Sequence, residues 1–189
     1  MNPFILHTLV TAPEASQPLL SNVQHNFGFI PNLLAGMATS PALLEGYRSL
    51  AACFDKTQLS ETERQIILLT TSRLNGCRYC MAAHTVIAKS AGVPDEVIAA
   101  LRNNTPLADA KLEALRQFAG TVTERRGWLD EVDLQGFYTA GYTQENVLEV
   151  ILGVGLKILS NYTNHIAQTP LDKVFEQAVW SGADPARSP

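Results

Sequence analysis

An all-α fold is predicted for this 189-residue chain. Three observations predict it. Apolar residues recur at helical spacing almost throughout. Alternating runs closed by hairpin turns are missing. Start and stop signals bound the helical stretches. Hydrophobic residues make up 46% of the chain, enough for a sizeable core. No low-complexity linker divides it, so residues 1–189 are read as one domain.

The first 14 residues carry Pro3 and Pro13 and are read as irregular. A short helix covers about Pro18 to Asn26. "FGFIPNLL" breaks at Gly28 and restarts at Pro31. Ser40 caps the next helix, with Pro41 at its first position. Ser60 opens another, and Glu63 completes a capping box. Its body, "RQIILLTTSRL", is apolar on most sides, which marks a buried helix. Asn75-Gly76 ends it, because both residues tolerate the left-handed conformation. A further helix starts near Cys77 and runs to about Ser90. Gly92 ends that one, and Pro94 with Asp95 begins "DEVIAALRN". Asp109 to Glu124 is amphipathic through Leu112, Leu115, Phe118, Ala119 and Val122. Asp130 to Ala140 is shorter. Thr143 caps the longest helix, "QENVLEVILGVGLKILSNYTNHI". A last helix is expected over "LDKVFEQAV", then a flexible tail at 181–189. The Ser60 and Thr143 helices echo one another: each is capped, mostly apolar and leads to a polar cluster ending in histidine, His84 or His165. The echo suggests two packed helical hairpins.

The formal charge is −4 and the pI near 5.5. No basic block is present, which argues against nucleic acid or an anionic membrane as partner. No apolar run approaches the roughly 20 residues of a membrane span, and the N-terminus lacks the basic flank of a signal peptide. Cytoplasmic localisation is the expectation. Three cysteines, Cys53, Cys77 and Cys80, do not make a secreted disulfide framework.

The chemistry concentrates in "NGCRYCMAAH", residues 75–84. In a helix starting near Cys77, the residues Cys77, Cys80 and His84 fall at i, i+3 and i+7, on one stripe. The unpaired N–H groups and dipole of the first turn favour a thiolate at Cys77. His84, one turn beyond Cys80, is placed to exchange a proton with it directly or through a water. An activated thiol beside a second thiol is the minimum apparatus for reducing a peroxide. Four other readings compete. Haem attachment requires histidine directly after the second cysteine, where Met81 stands. Structural zinc requires four ligands, and His7, His25 and His165 lie on distant segments. A thioredoxin-like site wants a preceding strand. Two cysteines serving as small core residues fit poorly with Arg78, Tyr79 and the Asn-Gly break.

On these residues a resemblance rests. "LSETERQIILLTTSRLNGCRYCMAAH" resembles the signature of AhpD-like alkylhydroperoxidases in the carboxymuconolactone decarboxylase superfamily. "FGFIPNLLAGMATSPALLEGY" and "SNYTNHIAQTPLD" resemble flanking segments of its longer peroxidase-related members, so the likeness runs from about Phe27 to Asp172. It implies an AhpD-like helical bundle with the Cys-x-x-Cys at the start of a buried helix. It implies a cofactor-free and metal-free thiol peroxidase acting on organic hydroperoxides or hydrogen peroxide. Cys80 matches the cysteine oxidised to sulfenic acid, Cys77 the one that resolves it as a disulfide, and His84 the proton-relay histidine. An external thiol reductant, a lipoyl- or thioredoxin-like protein, would restore the dithiol. Homo-oligomers (dimers, trimers or hexamers) are also implied. The sequence departs from the pattern at Gln65, twelve residues before Cys77, where the family relay has glutamate. Glu63 lies about 200° around the helix and faces elsewhere. An amide orients a histidine but does not accept its proton. Either His84 works without an acid, another carboxylate such as Glu149 substitutes, or turnover is weak. Two alternatives remain: a redox-sensing thiol-disulfide protein with weak peroxidase activity, and lactone decarboxylation, which needs no dithiol.

Of the remaining candidates, Cys53 in "SLAACF" is read as a buried structural thiol, and Tyr79 as an exposed or interface tyrosine. Asn161, Asn164 and His165 are read as capping the end of the long helix, with the lining of the cysteine pocket as the functional alternative. Phe27, Phe29 and Ile30 are assigned to core or subunit docking. Glu124-Arg125-Arg126 is a solvated helix end.

Overall fold

Capping chemistry decides where the helices begin. The computed structural model describes residues 4–182, and in it nine α-helices and two short 3-10 turns follow one another without strands. The helices are α1 Gln17–Phe27, α2 Asn32–Met37, α3 Pro41–Phe54, α4 Glu61–Leu74 and α5 Arg78–Ser90. There follow α6 Asp95–Asn103, α7 Ala110–Glu124, α8 Glu131–Thr139 and α9 Gln144–Ala167. The Ser40 hydroxyl accepts from the Leu43 amide to start α3. Ser60 and Glu63 satisfy one another's backbone amides at the head of α4, as a capping box requires. Thr143 and Asn146 do the same for α9. Gly28, Gly76 and Gly92 take positive φ where α1, α4 and α5 stop.

The α4 helix is the hub. It packs on α7, α5, α9 and α6, and is buried from Gln65 to Ser72. Two apolar clusters form around it. The larger contains Phe54, Ile66, Ile67, Leu69, Leu115, Phe118, Phe137 and Val150. There Phe137 stacks between Phe118 and Tyr142, with ring centroids 4.0 and 4.4 Å away. The smaller gathers Leu20, Val23, Leu33, Met37, Leu44 and Phe175 around Cys77 and Cys80.

The last predicted helix is instead a 3-10 turn, Lys173–Ala178. Asp172, the residue placed to cap a helix there, spends its carboxylate elsewhere. It accepts from the Tyr79 hydroxyl and from the Asn32 amide, the latter at 3.1 and 3.2 Å. No side chain caps the start of this turn. The hairpin echo holds only for α4 and α9, which pack together; His165 is exposed and does not return to the cysteines. The tail expected to be flexible lies, from residue 183, outside the described residues. No helix among the described residues is long and apolar enough to cross a membrane.

Two glycines of α9 test the packing. A Cβ at Gly153 would sit 2.8 Å from Ile67 Cγ2 and from the Phe54 ring, whereas one at Gly155 meets nothing within 4 Å. Replacing glycine by alanine in a helix gains about 1 kcal/mol, and overpacking a core costs about 1–3 kcal/mol. Urea unfolding is expected to show Gly155→Ala stabilised by about 1 kcal/mol and Gly153→Ala less stable than Gly155→Ala by about 1–3 kcal/mol.

Candidate functional site

The turn between α4 and α5 sets the two sulfurs. Gly76 takes φ 67°, and the Cys77 amide donates back to the Ser72 carbonyl at 2.9 Å. Cys77 therefore becomes the N-cap of α5, and Cys80 lies in its first turn. Both are free thiols, and each is only 1% exposed.

Helix α9 supplies the opposite wall. Asn164 Nδ2 lies 3.3 Å from Cys80 Sγ and 3.7 Å from Cys77 Sγ. Ser160 Oγ lies 3.8 Å from Cys80 Sγ. Asn161, which also faces this wall, accepts from Asn75 Nδ2 at 2.9 Å and so ties α9 to the α4–α5 turn. Asn161 and Asn164 thus line the cysteines, and the capping role expected for them is overturned. The helix ends beyond them, at Gln168 in the left-handed conformation.

Lys157 was not foreseen. It is 1% exposed, and its ammonium donates to His84 Nε2 at 2.9 Å. No carboxylate pairs with it among the described residues. Burial opposes its charge, but the Cys80, Tyr47 and Cys77 groups around it raise its pKa above the ordinary value. Tyr47 is not its counter-ion, since burial pushes that phenol up in turn. Burial also works against a Cys80 thiolate. Hydrogen bonding from the Cys77 thiol, the Lys157 charge, and the Ser160 and Asn161 side chains together outweigh it, and Cys80 falls well below the ordinary thiol range. The hydrogen bond to Cys80, then burial, push Cys77 far up. The first-turn argument favoured a thiolate at Cys77, whereas these shifts favour Cys80 as the sulfur that gives up its proton and Cys77 as the one that keeps it.

The tautomers follow from one carboxylate. Glu61, at the start of α4, is acceptor-only and takes Gln65 Nε2 at 2.8 Å. That leaves Gln65 Oε1 to accept from His84 Nδ1 at 3.0 Å. The His84 proton is then on Nδ1, and Nε2 carries the lone pair that receives the Lys157 ammonium. Burial, then the Lys157 charge, hold His84 well below its usual pKa, so it is neutral near pH 7. Glu61, Gln65, His84 and Lys157 form one hydrogen-bonded chain, and the Lys157 charge acts on Cys80. The imidazole makes no hydrogen bond to the sulfur among the described residues, so of the two routes expected, direct or through a water, the direct one is absent.

Glu61 escaped sequence reading although it stands four residues before Gln65, on the same helix face. Glu149 is no substitute: it accepts from the Gln58 amide at 2.6 Å and Asn146 Nδ2 at 2.9 Å. Glu63 does face elsewhere, accepting from Ser60 and the Tyr142 hydroxyl. Tyr79, expected to be exposed or at an interface, is buried and clasped by Asp172 and the Leu33 amide. Cys53, expected to be buried, is exposed. The α3 face that turns inward carries Leu44, Tyr47, Leu50, Ala51 and Phe54, and Cys53 lies off that stripe. Phe29 and Ile30 pack against the smaller cluster, whereas Phe27 is exposed. Among the described residues, no group of three His, Cys, Asp or Glu side chains converges on a metal position.

Residues 41–119 match the carboxymuconolactone decarboxylase family. The segment holds the whole α4–α5 unit with both cysteines. Over that segment, which is 79 of the 189 residues, the chain is similar to this family. No sequence relative was found among proteins of curated function. Among solved structures, it is similar to a peroxidase-related protein with an alkylhydroperoxidase AhpD core from Ralstonia eutropha JMP134. The TM-score is 0.82 at 21% identity, covering 92% of this chain and 93% of that one. A peroxidase-related protein from Silicibacter sp. TM1040 gives 0.78 at 20% identity, covering 93% and 95%. The debrominase Bmp8 gives 0.79 at 20% identity, covering 94% and 96%. A cysteine-to-alanine variant of Bmp8 in complex with 2,3,4-tribromopyrrole gives 0.75 at 21%, covering 92% and 97%. These likenesses establish the AhpD-like fold.

The Cys80 thiolate carries a testable pH signature. A thiol whose folded pKa lies below its unfolded value, near 8.5, contributes stability in full above that value. The contribution fades as pH falls through the folded pKa. The thiolate absorbance of the reduced protein should persist below the pH at which ordinary thiols lose it. In Lys157→Met the titration should move upward.

Proposed function

We propose that this chain is a thiol peroxidase, and the observation that carries the reading is the buried Cys80 thiolate flanked by a protonated Cys77 thiol and the Lys157 ammonium. In the first step the Cys80 sulfur attacks the terminal oxygen of a hydroperoxide. The O–O bond breaks, Cys80 becomes a sulfenic acid, and Lys157 protonates the departing alkoxide. His84 Nε2 lies next to Lys157 to share its protons, and Glu61 through Gln65 fixes the ring that does so. Once Cys80 is uncharged, the anion that held the proton on Cys77 is gone. Cys77 then loses that proton and displaces water from the sulfenic sulfur to close the disulfide. An external dithiol returns the two electrons. In this reading Gln65 is a positioning residue rather than a base. The tight covering of both sulfurs favours a small hydroperoxide over a bulky one.

The same pair supports a second reading, favoured by the likeness to a debrominase. A thiolate that takes oxygen from a peroxide can take bromine from a brominated pyrrole. The ring carbon gains a proton, Cys77 displaces bromide, and the same disulfide results.

Self-association completes the proposal. Leu148, Ile151, Ile158, Tyr162 and Ile166 form an exposed apolar stripe along α9, the helix whose other face holds the thiolate wall. Such a stripe fits a second copy of the chain.

Coupled turnover with hydrogen peroxide or cumene hydroperoxide and a dithiol should vanish in Cys80→Ser and fall about 100-fold in Lys157→Met. Cys77→Ser should accumulate a sulfenic acid that dimedone traps. A Cys80→Ser protein as active as the parent removes the assignment. Bromide release from a bromopyrrole without peroxide turnover selects the second reading. Ile151→Asp should lower the mass measured by light scattering to that of the monomer, 20.6 kDa.

A further inference from the structure

We propose that the cavity between α4, α6 and α7, separate from the thiol centre, binds a small oxyanion: a carboxylate or a phosphate. The cavity holds about 380 Å³, within the range of small-ligand sites. Two of the residues that line it each carry a buried polar atom without a hydrogen-bond partner among the described residues, Thr70 Oγ1 and Arg73 Nε. An orphaned buried donor is costly and uncommon in a native structure. Here two occur one helical turn apart, on the face of α4 turned toward α7.

The charges tell the same story. Arg116, on α7, lines the cavity opposite Arg73. Its guanidinium is occupied by Glu113, at 2.6 and 2.8 Å, and by Asn104 Oδ1 at 3.2 Å. Arg73 has no acidic partner among the described residues. Burial, then the charge of Arg116, lower the Arg73 pKa. Two cations thus face one cavity, one satisfied and one not. Glu124, also in the lining, is exposed and sits at the rim. A guanidinium with a free Nε edge and a neighbouring hydroxyl is a donor set for a planar or tetrahedral oxyanion, which accepts two parallel N–H bonds from arginine. Gly120 leaves the room: a Cβ there would make only ordinary contacts, 3.7 Å to Leu74 and 3.9 Å to Thr70.

The experiment is thermal unfolding and calorimetric titration of the reduced full-length protein. Inorganic phosphate and succinate are compared at constant ionic strength against sodium chloride. At ten times Kd the midpoint should rise by about 3–6 °C with phosphate, succinate or both, and not with chloride. The anion that gives the larger rise identifies the class. Arg73→Gln should lose the rise, and Gly120→Leu, which fills the cavity while keeping both arginines, should lose it too. The proposal is overturned if neither anion binds the parent protein, or if both variants bind as the parent does. Peroxide turnover enters none of these readouts, so their outcome is separate from that of the thiol assignment.

Discussion

A buried ammonium needs an anion, and in this protein the anion is sulfur. Lys157 sits inside the helical packing with no carboxylate beside it among the described residues, facing the Cys80 sulfur and the lone pair of His84. Leaving a buried charge unpaired costs about 3–5 kcal/mol. The lysine and the thiolate therefore specify one another. Remove the charge on either and the other no longer has reason to keep its own. The features around the pair serve this arrangement. Asn164 presents a hydrogen-bond donor to the sulfur, the Ser160 hydroxyl lies 3.8 Å from it, and Cys77 adds its thiol proton. Glu61, through Gln65, holds the imidazole in the one tautomer that can accept from the ammonium. The substitution at Gln65 reads differently in this light. The carboxylate has not left the chain of contacts but stands one helical turn farther out, and the amide carries its orienting effect inward.

Much of this was legible in the sequence where the physics is local. Ser40, Ser60 with Glu63, and Thr143 are caps whose geometry is set within four residues, and each begins its helix where expected. Asn75-Gly76 predicts a sharp turn, and that turn alone puts Cys77 and Cys80 at the head of α5. The reading failed where the outcome depends on residues far apart. A lysine within "VGLKILS" gives no local sign that it faces a thiolate from another helix. Asn164 was weighed as a cap because nothing near it in sequence reveals the sulfurs across the packing interface. Tyr79 looked exposed because its partners, Asp172 and Leu33, lie 93 and 46 residues away. The same long-range demand turned the expected last helix into a 3-10 turn. Cys53 failed differently. Apolar neighbours suggested burial, but a helix shows only one face to its core, and the stripe passes beside that residue.

The two apolar clusters divide the labour. The larger, built on α4, α7 and stacked aromatic rings, is scaffold. The smaller is assembled from α1, α2, α3, α5 and the 3-10 turn near Phe175, and it wraps the reactive pair in side chains without charge. A low-polarity wrap strengthens every electrostatic contact inside it. It lets the Cys77 hydrogen bond, the Lys157 charge and the side chains of α9 together outweigh the desolvation of a thiolate.

The clasp among Tyr79, Asp172 and Asn32 carries a consequence for biosynthesis. Asn32 and Asp172 are separated by 140 residues, and Asn164 stands 87 beyond Cys77. On a ribosome, both cysteines emerge long before the segments that cover them. Loop closure over such distances is slow compared with helix formation. The nascent chain thus carries both cysteines without their α9 wall and without the Asp172 clasp until the final fifth of the polypeptide folds back over them.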